Sequence, residues 1–213
     1  MPNYESLSAE REEVAYFMRR LYRQGLTTTS GGNLSLRVDD RHVLVTPSQL
    51  DKGEMKAEQI ALFTIDGENL TPKFKGSIET GMHLSVLRVR PDVKAIVHAH
   101  PVTATSFAAM GIDINFHLTA EAFAVLGEPV RAPYSIMGSE ALAKSVAECM
   151  KTADVAVMQN HGVIAVGKTM LVAFDRLEVT EAAAKMTWIT HTMQSMSPLT
   201  KENLDEIAKQ CHS

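Results

Sequence analysis

Two histidines one residue apart close the segment Ala95-Ile-Val-His-Ala-His-Pro101. The β-branched apolar run before them predicts a strand, and side chains at i and i+2 of a strand leave the same face. His98 and His100 therefore emerge side by side, with Pro101 ending the strand behind them. A single histidine on an apolar segment is ordinarily a core residue. A pair on one face points to a metal, because imidazole is the commonest metal ligand. A second apolar run, Val155 to Val166, is broken by Asn160-His161-Gly162 and predicts two strands around a tight turn. His161, at the mouth of that turn, can reach a neighbouring strand and is the candidate third ligand. Three neutral imidazoles leave a divalent ion an open position, as a catalytic centre needs. Glu79, at the head of a helix-period segment, is a candidate carboxylate ligand or a base beside the metal. In that position it would also partner the helix dipole.

Three polar turns could serve an anion. Thr28-Thr-Ser-Gly-Gly-Asn-Leu-Ser35 places paired glycines beside Ser and Asn, so that backbone N–H groups can approach a phosphate closely. The same residues would also suit a plain flexible connection. Thr46-Pro-Ser48 and Gly76-Ser77 add hydroxyl donors. Neither a Walker A sequence nor a dinucleotide fingerprint is present, and no nucleotide cofactor is expected.

The elements that must position these groups alternate along the chain. Ser8 is expected to cap a first helix carrying Val14, Phe17, Met18 and Leu21 on one face, with Gly25 as its stop. Leu34, Leu36 and Val38 predict a strand that returns through Asp39-Asp40 to Val43-Leu-Val45. Ile60 to Ile65 predicts another, and a helix from about Glu79 to Arg90 leads into the His-x-His strand. Helices are expected over Thr103 to Met110, after Ser139, from Met170 to about Met196, and around Leu204 and Ile207. Met186, Met193 and Met196 read as core or interface filling, and Trp188 as a residue that could meet a neighbouring subunit. Hairpins early and late, with helices before, between and after, predict a largely antiparallel sheet covered by helices in a single α/β domain over residues 1–213. A chain of 213 residues with 45% hydrophobic content can build such a core. Its formal charge of −4 argues against nucleic acid or an anionic membrane as partner. Cys149 and Cys211 form no disulfide framework and sit in no nucleophile motif. The polar start and the lack of a spanning apolar run predict a cytoplasmic protein.

Ser30-Gly-Gly-Asn33, Thr46-Pro-Ser48, Glu79, His98-Ala-His100-Pro101, Ala132-Pro-Tyr134 and Asn160-His161-Gly162 occur in an order that resembles class II aldolases of the fuculose-phosphate type. The resemblance runs from roughly Glu10 to Glu181. It implies a three-layer α/β/α domain with a central, mainly antiparallel sheet, assembled as a homotetramer with active sites between subunits. It implies one divalent ion per subunit on His98, His100 and His161, with Glu79 as acid/base. Zn2+, Mn2+ and Co2+ all suit that donor set. It further implies phosphate binding by Ser30, Gly32, Asn33, Ser48 and, less fully, Ser77. The expected reaction cleaves the C3–C4 bond of a ketose 1-phosphate to dihydroxyacetone phosphate and a short aldehyde. The ion acts as Lewis acid in place of a Schiff-base lysine, and Glu79 shuttles the proton at C3.

The chain departs from that pattern in four places. Leu118 follows Phe116-His117 where the family often has Tyr, and no tyrosine stands in the C-terminal tail. Ile78 replaces a second Ser before Glu79, and Gln49 replaces the Gly after Thr46-Pro-Ser48. The aldehyde end of the pocket is therefore expected to be apolar. That favours a 5-deoxypentulose 1-phosphate releasing acetaldehyde, beside L-fuculose 1-phosphate releasing lactaldehyde. Related pentulose-phosphate 4-epimerases carry Asp where Glu79 stands, so Glu79 favours aldol cleavage. A related methylthioribulose 1-phosphate dehydratase keeps the three histidines and is told apart by its diketone product. An adducin-like interaction domain would lack the metal ligands.

Overall fold

A computed structural model describes residues 4–211. Seven strands form one sheet: β1 (Asn33–Arg37), β2 (His42–Val45), β3 (Ala61–Thr64), β4 (Ala95–Ala99), β5 (Val130–Ala132), β6 (Val155–Met158) and β7 (Gly162–Gly167). Their order is β3-β2-β1-β4-β7-β6-β5, and every pair is antiparallel except β5 with β6. The helices are α1 (Ser8–Arg23), α2 (Thr80–Val89), α3 (Val102–Met110), α4 (Ala120–Leu126), α5 (Glu140–Cys149), α6 (Met170–Thr192) and α7 (Lys201–Cys211).

The period-2 alternation of the strands divides the interior in two. Leu34, Leu36, Val97, Val155 and Val163 face one side and pack with Phe17 and Leu21 of α1, Phe107 of α3, and Phe174 and Leu177 of α6. Their neighbours Ile96, Ala156, Ile164 and Val166 face the other side, against Leu84 and Leu87 of α2 and Leu142 and Val146 of α5. Helices thus cover both faces of a mainly antiparallel sheet, as expected. His98 shares the parity of Ile96, so its ring projects on the α2 side. Register then supplies its neighbours: His98 lies opposite Asn33 of β1 and Ile164 of β7.

Several boundaries differ from expectation. Ser8 is the first helical residue; Leu7 holds the N-cap position without a side-chain bond, because a 3-10 turn over Tyr4–Leu7 runs straight into α1. The expected helix to about Met196 stops at Thr192, where Gln194 turns left-handed with φ 52°. Met193 and Met196 are exposed rather than core. β5 and α4 were not expected: at three and seven residues they are too short to show a period. No helix among the described residues is long and apolar enough to cross a membrane.

Candidate active site

The three histidines meet at one end of the central strands. His98 is fully buried in β4, His100 stands just past its end, and His161 sits in the β6–β7 turn. Ring centroids are 4.8 Å apart for His98 and His100, and 4.9 Å for His98 and His161. The turn is tight because Gly162 lies directly against β4. A Cβ there would fall 2.5 Å from the Ala99 carbonyl oxygen and 2.7 Å from Cδ2 of His100. Asn160, with φ 53°, takes the left-handed position that its short polar side chain tolerates. The Nδ1 of His98 lies 2.9 Å from the Val163 carbonyl oxygen. A carbonyl only accepts, so Nδ1 carries the proton and the Nε2 lone pair is left for the site.

Glu79 holds the N-cap position of α2 without a side-chain cap bond, which leaves its carboxylate to the site. Its Oε1 is 2.7 Å from His161 Nε2 and its Oε2 is 3.2 Å from His98 Nε2. Asn33 Nδ2 donates to Glu79 Oε2 at 2.8 Å and to Ser77 Oγ at 3.1 Å, tying the glycine-rich loop to the carboxylate. Burial works to raise the pKa of Glu79, but electrostatic attraction to His98 and the contacts from His161, His98 and Asn33 outweigh it and hold the carboxyl well below its ordinary range. Burial, followed by the electrostatic influence of His98 and His161, lowers His100 to about 4 and keeps it neutral.

This donor set fits a divalent ion. His98, His100 and His161 each offer a ligand atom, all within 4.8 Å of one another. The two carboxylate–imidazole contacts are short but poorly angled, and the buried His98 Nε2 and Glu79 Oε1 have no hydrogen-bond partner. Such orphans cost about 1–3 kcal/mol each, and a cation between them would satisfy both.

The three polar turns converge beside the histidines. Gly32 has φ 66°, and a Cβ on it would lie 2.8 Å from the His98 carbonyl oxygen. Ser48 donates its backbone N–H to the Lys75 carbonyl at 2.9 Å, and Pro47 bridges to Gly76. Ser77 Oγ accepts from the Glu79 N–H at 3.2 Å. Ser30, exposed, is the outermost member of the cradle.

A family model described as the class II aldolase and adducin N-terminal domain matches residues 12–188. The chain belongs to that family. It is 32% identical over 205 residues, covering 95% of each chain, to the 5-deoxy-D-ribulose 1-phosphate aldolase of Bacillus thuringiensis serovar kurstaki. It is 32% identical over 182 residues to the 3-oxo-tetronate 4-phosphate decarboxylase of Haemophilus influenzae, covering 84% of this chain and 86% of that one. A solved L-fuculose 1-phosphate aldolase superposes with a TM-score of 0.88 at 28% identity, over 95% of this chain and 96% of that one.

The remaining histidines of the family member are accounted for. His42 pairs with Asp39 at 2.9 Å, His117 with Glu128 at 3.0 Å, and His191 is exposed. His212 lies outside the described residues. His83 is fully buried one turn beyond Glu79, with Nδ1 2.8 Å from Ser35 Oγ on the strand that carries Asn33. Burial lowers its pKa to about 3, so it packs as a neutral ring.

Two positioning groups escaped the sequence reading. Glu181 of α6, almost buried, accepts from the N–H and hydroxyl of Thr103 and the N–H of Ala104, and so anchors α3 directly behind His100-Pro101. Lys52 is buried beneath the Thr46-Pro47-Ser48 turn. Each is a charged residue inside an unremarkable stretch, and only the fold brings it to the site.

Proposed function

We propose that this protein is a metal-dependent aldolase, a lyase that cleaves a 5-deoxypentulose 1-phosphate to dihydroxyacetone phosphate and acetaldehyde, with L-fuculose 1-phosphate as the alternative substrate. The observation that carries the reading is the Glu79 carboxylate, 2.7 and 3.2 Å from two of three clustered imidazoles and hydrogen-bonded to the glycine-rich loop through Asn33. His98, His100 and His161, with Glu79 beside them, are assigned to the metal. Ser30, Gly32, Asn33, Ser48 and Ser77 are assigned to the phosphate. A bound divalent ion supplies Lewis-acid polarisation of the ketose carbonyl. We assign it as Zn2+, with Mn2+ and Co2+ as alternatives.

The chain's own groups do the rest. The phosphate cradle fixes the far end of the substrate and spends that binding on alignment of the reacting carbons. Glu79 takes the C4 hydroxyl proton, the C3–C4 electron pair passes toward C3 and the carbonyl to form the enediolate, and the aldehyde departs. Glu79 returns a proton to C3 of the enediolate. Asn33 holds the carboxylate in place while it does so.

The apolar rim supports the deoxy substrate. Ile78, next to Glu79, is 58% exposed, and a Cβ on Gly138 would lie 3.2 Å from the Ile78 carbonyl oxygen. That contact brings the loop bearing the exposed Ile136 and Met137 alongside it. The similarity to a 5-deoxy-D-ribulose 1-phosphate aldolase over nearly the whole chain agrees.

We further propose that residues 1–213 form one domain working as a cytoplasmic homotetramer with active sites between subunits. The exposed Trp188, Ile189 and Met193 support a neighbouring copy.

The decarboxylase relative favours a second reading. Loss of CO2 from a 3-oxo-tetronate 4-phosphate leaves the same three-carbon enediolate phosphate as the aldol cleavage, and the same site could protonate it. The test supplies fuculose, 5-deoxyribulose and methylthioribulose 1-phosphates and 3-oxo-tetronate 4-phosphate separately to metal-loaded protein. Dihydroxyacetone phosphate is read by NADH-coupled reduction. Product from 5-deoxyribulose 1-phosphate that vanishes with chelator supports the proposal. Product from the oxo-tetronate alone overturns it.

A further inference from the structure

The cradle assigned to the phosphate is built of hydroxyls, an amide and backbone N–H groups, with no cation among them. A phosphate dianion held by neutral donors alone is held weakly, because charge-assisted bonds are roughly twice as strong as neutral ones. The ammonium of Lys52 stands directly behind the cradle. The side chain is 1% exposed, and its Nζ donates to the Pro47 carbonyl oxygen at 2.6 Å. Its backbone N–H donates to the Thr29 carbonyl at 3.0 Å, in the glycine-rich loop. Pro47 in turn bridges to Gly76, beside Ser77. Lys52 thus bonds two loops of the cradle, and Pro47 links them to the third.

Buried lysines are almost always paired, and among the described residues this one has no carboxylate partner. A single carbonyl accepts one of its three N–H donors, and burial is the cause that lowers its pKa, to about 8. An unpaired ammonium at this cost is weak design for a strut, since a methionine or leucine would fill the space more stably. It is sound design for a site whose ligand brings the missing negative charge.

We propose that Lys52 is the buried counter-charge of the phosphate cradle: a positioning residue that selects a dianion over a neutral group and seats the Thr46-Pro47-Ser48 turn against it. This rests on the ketose-phosphate reading above.

The test compares wild type with Lys52→Met, Lys52→Gln and Lys52→Arg, each metal-loaded. Calorimetric titration with inorganic phosphate is set beside steady-state cleavage of the ketose 1-phosphate. Lys52→Met and Lys52→Gln should weaken phosphate binding by about tenfold or more. They should lower kcat/KM for the ketose 1-phosphate by a similar factor or more. Lys52→Arg should recover most of the affinity. Gln can still donate to the Pro47 carbonyl without carrying charge, so a purely structural strut predicts wild-type behaviour for Gln. Phosphate affinity in Lys52→Gln within twofold of wild type, or an equal loss in Lys52→Arg and Lys52→Gln, overturns the proposal while leaving the aldolase standing. A wild type that cleaves no ketose phosphate and binds no phosphate overturns both.

Discussion

Replacing Lys52 by methionine is expected to stabilise the fold while weakening the site, and the sign of that effect depends on pH. The folded protein holds the Lys52 pKa at about 8 against an ordinary 10.5. That gap corresponds to roughly 3 kcal/mol spent, at neutral pH, on keeping a charge inside. Methionine fills nearly the same volume without the charge. It forfeits the 2.6 Å bond to the Pro47 carbonyl, and an orphaned buried carbonyl costs about 1–2 kcal/mol. The balance leaves Lys52→Met more stable than wild type by about 1–2 kcal/mol at pH 7. Below pH 8 both folded and unfolded wild type carry the proton, so the penalty is fully present. Between pH 8 and 10.5 the unfolded chain keeps a proton that the folded one has released, so wild-type stability from this group rises with pH. Well above pH 10.5 only the lost hydrogen bond remains, and the variant should be the less stable protein by about 1–2 kcal/mol. Urea unfolding of both proteins at fixed concentration, in phosphate-free buffer from pH 7 to 10, reads the difference directly. A variant destabilised at pH 7, with a gap that does not move toward pH 10, would refute the reasoning. It would mean that the ammonium is already paired or solvated.

Other perturbations probe the remaining parts. Glu79→Gln should lower cleavage about 10²–10⁴-fold while metal content, read by elemental analysis, stays near that of wild type; chelation should abolish cleavage in both. Gly162→Ala forces a methyl to within 2.5 Å of the Ala99 carbonyl oxygen; it should cost about 1–3 kcal/mol and weaken metal affinity, measured by competition with a chromophoric chelator. Gln49→Gly relieves a left-handed residue at φ 62°, worth about 1–2 kcal/mol, less about 0.4–1 kcal/mol of added unfolded-state freedom. A small rise in denaturation midpoint is expected, and a fall would show that the Gln49 side chain matters. Glu181→Ala should destabilise by about 2 kcal/mol, and amide hydrogen exchange should quicken first at Thr103 and Ala104, whose N–H groups lose their acceptor.

The three clustered histidines were legible because local periodicity carries them. His98 and His100 need only the two-residue repeat of one strand, and Asn160-His161-Gly162 needs only the geometry of one hairpin. The two-faced sheet was readable for the same reason: Leu34 and Leu36 against Ser35, or Val97 against Ile96 and His98, declare their faces by alternation. What stayed hidden is set by pairing across the chain. β5 is three residues long and joins the sheet only by lying parallel to β6, so no periodic signal precedes it. Lys52 and Glu181 read from sequence as solvated charges, the ordinary fate of Lys and Glu. Their burial follows from contacts with residues near the site: Thr29 and Pro47 for one, Thr103 and Ala104 for the other.

That contrast bears on how the site divides its work. The three imidazoles proposed to hold the metal come from strand ends, where backbone pairing on both sides limits motion: His98 is clamped between Asn33 and Ile164 in the register. The cradle comes from loops, held to one another by a single ammonium and a few backbone bonds. A rigid centre needs no tuning when the substrate changes, whereas the loops do. Ile78 and Gln49, the departures from the family pattern nearest the site, both lie in those loops. Beside both of them the bond between Asn33 and Glu79 is in place. Substrate choice in this fold should therefore move through the loop residues while the histidines and Glu79 stay fixed. Exchanging Ile78 for Ser should raise kcat/KM for L-fuculose 1-phosphate relative to the deoxy substrate and leave metal affinity unchanged. A change in metal affinity with no change in that ratio would place Ile78 in the wrong half of the site.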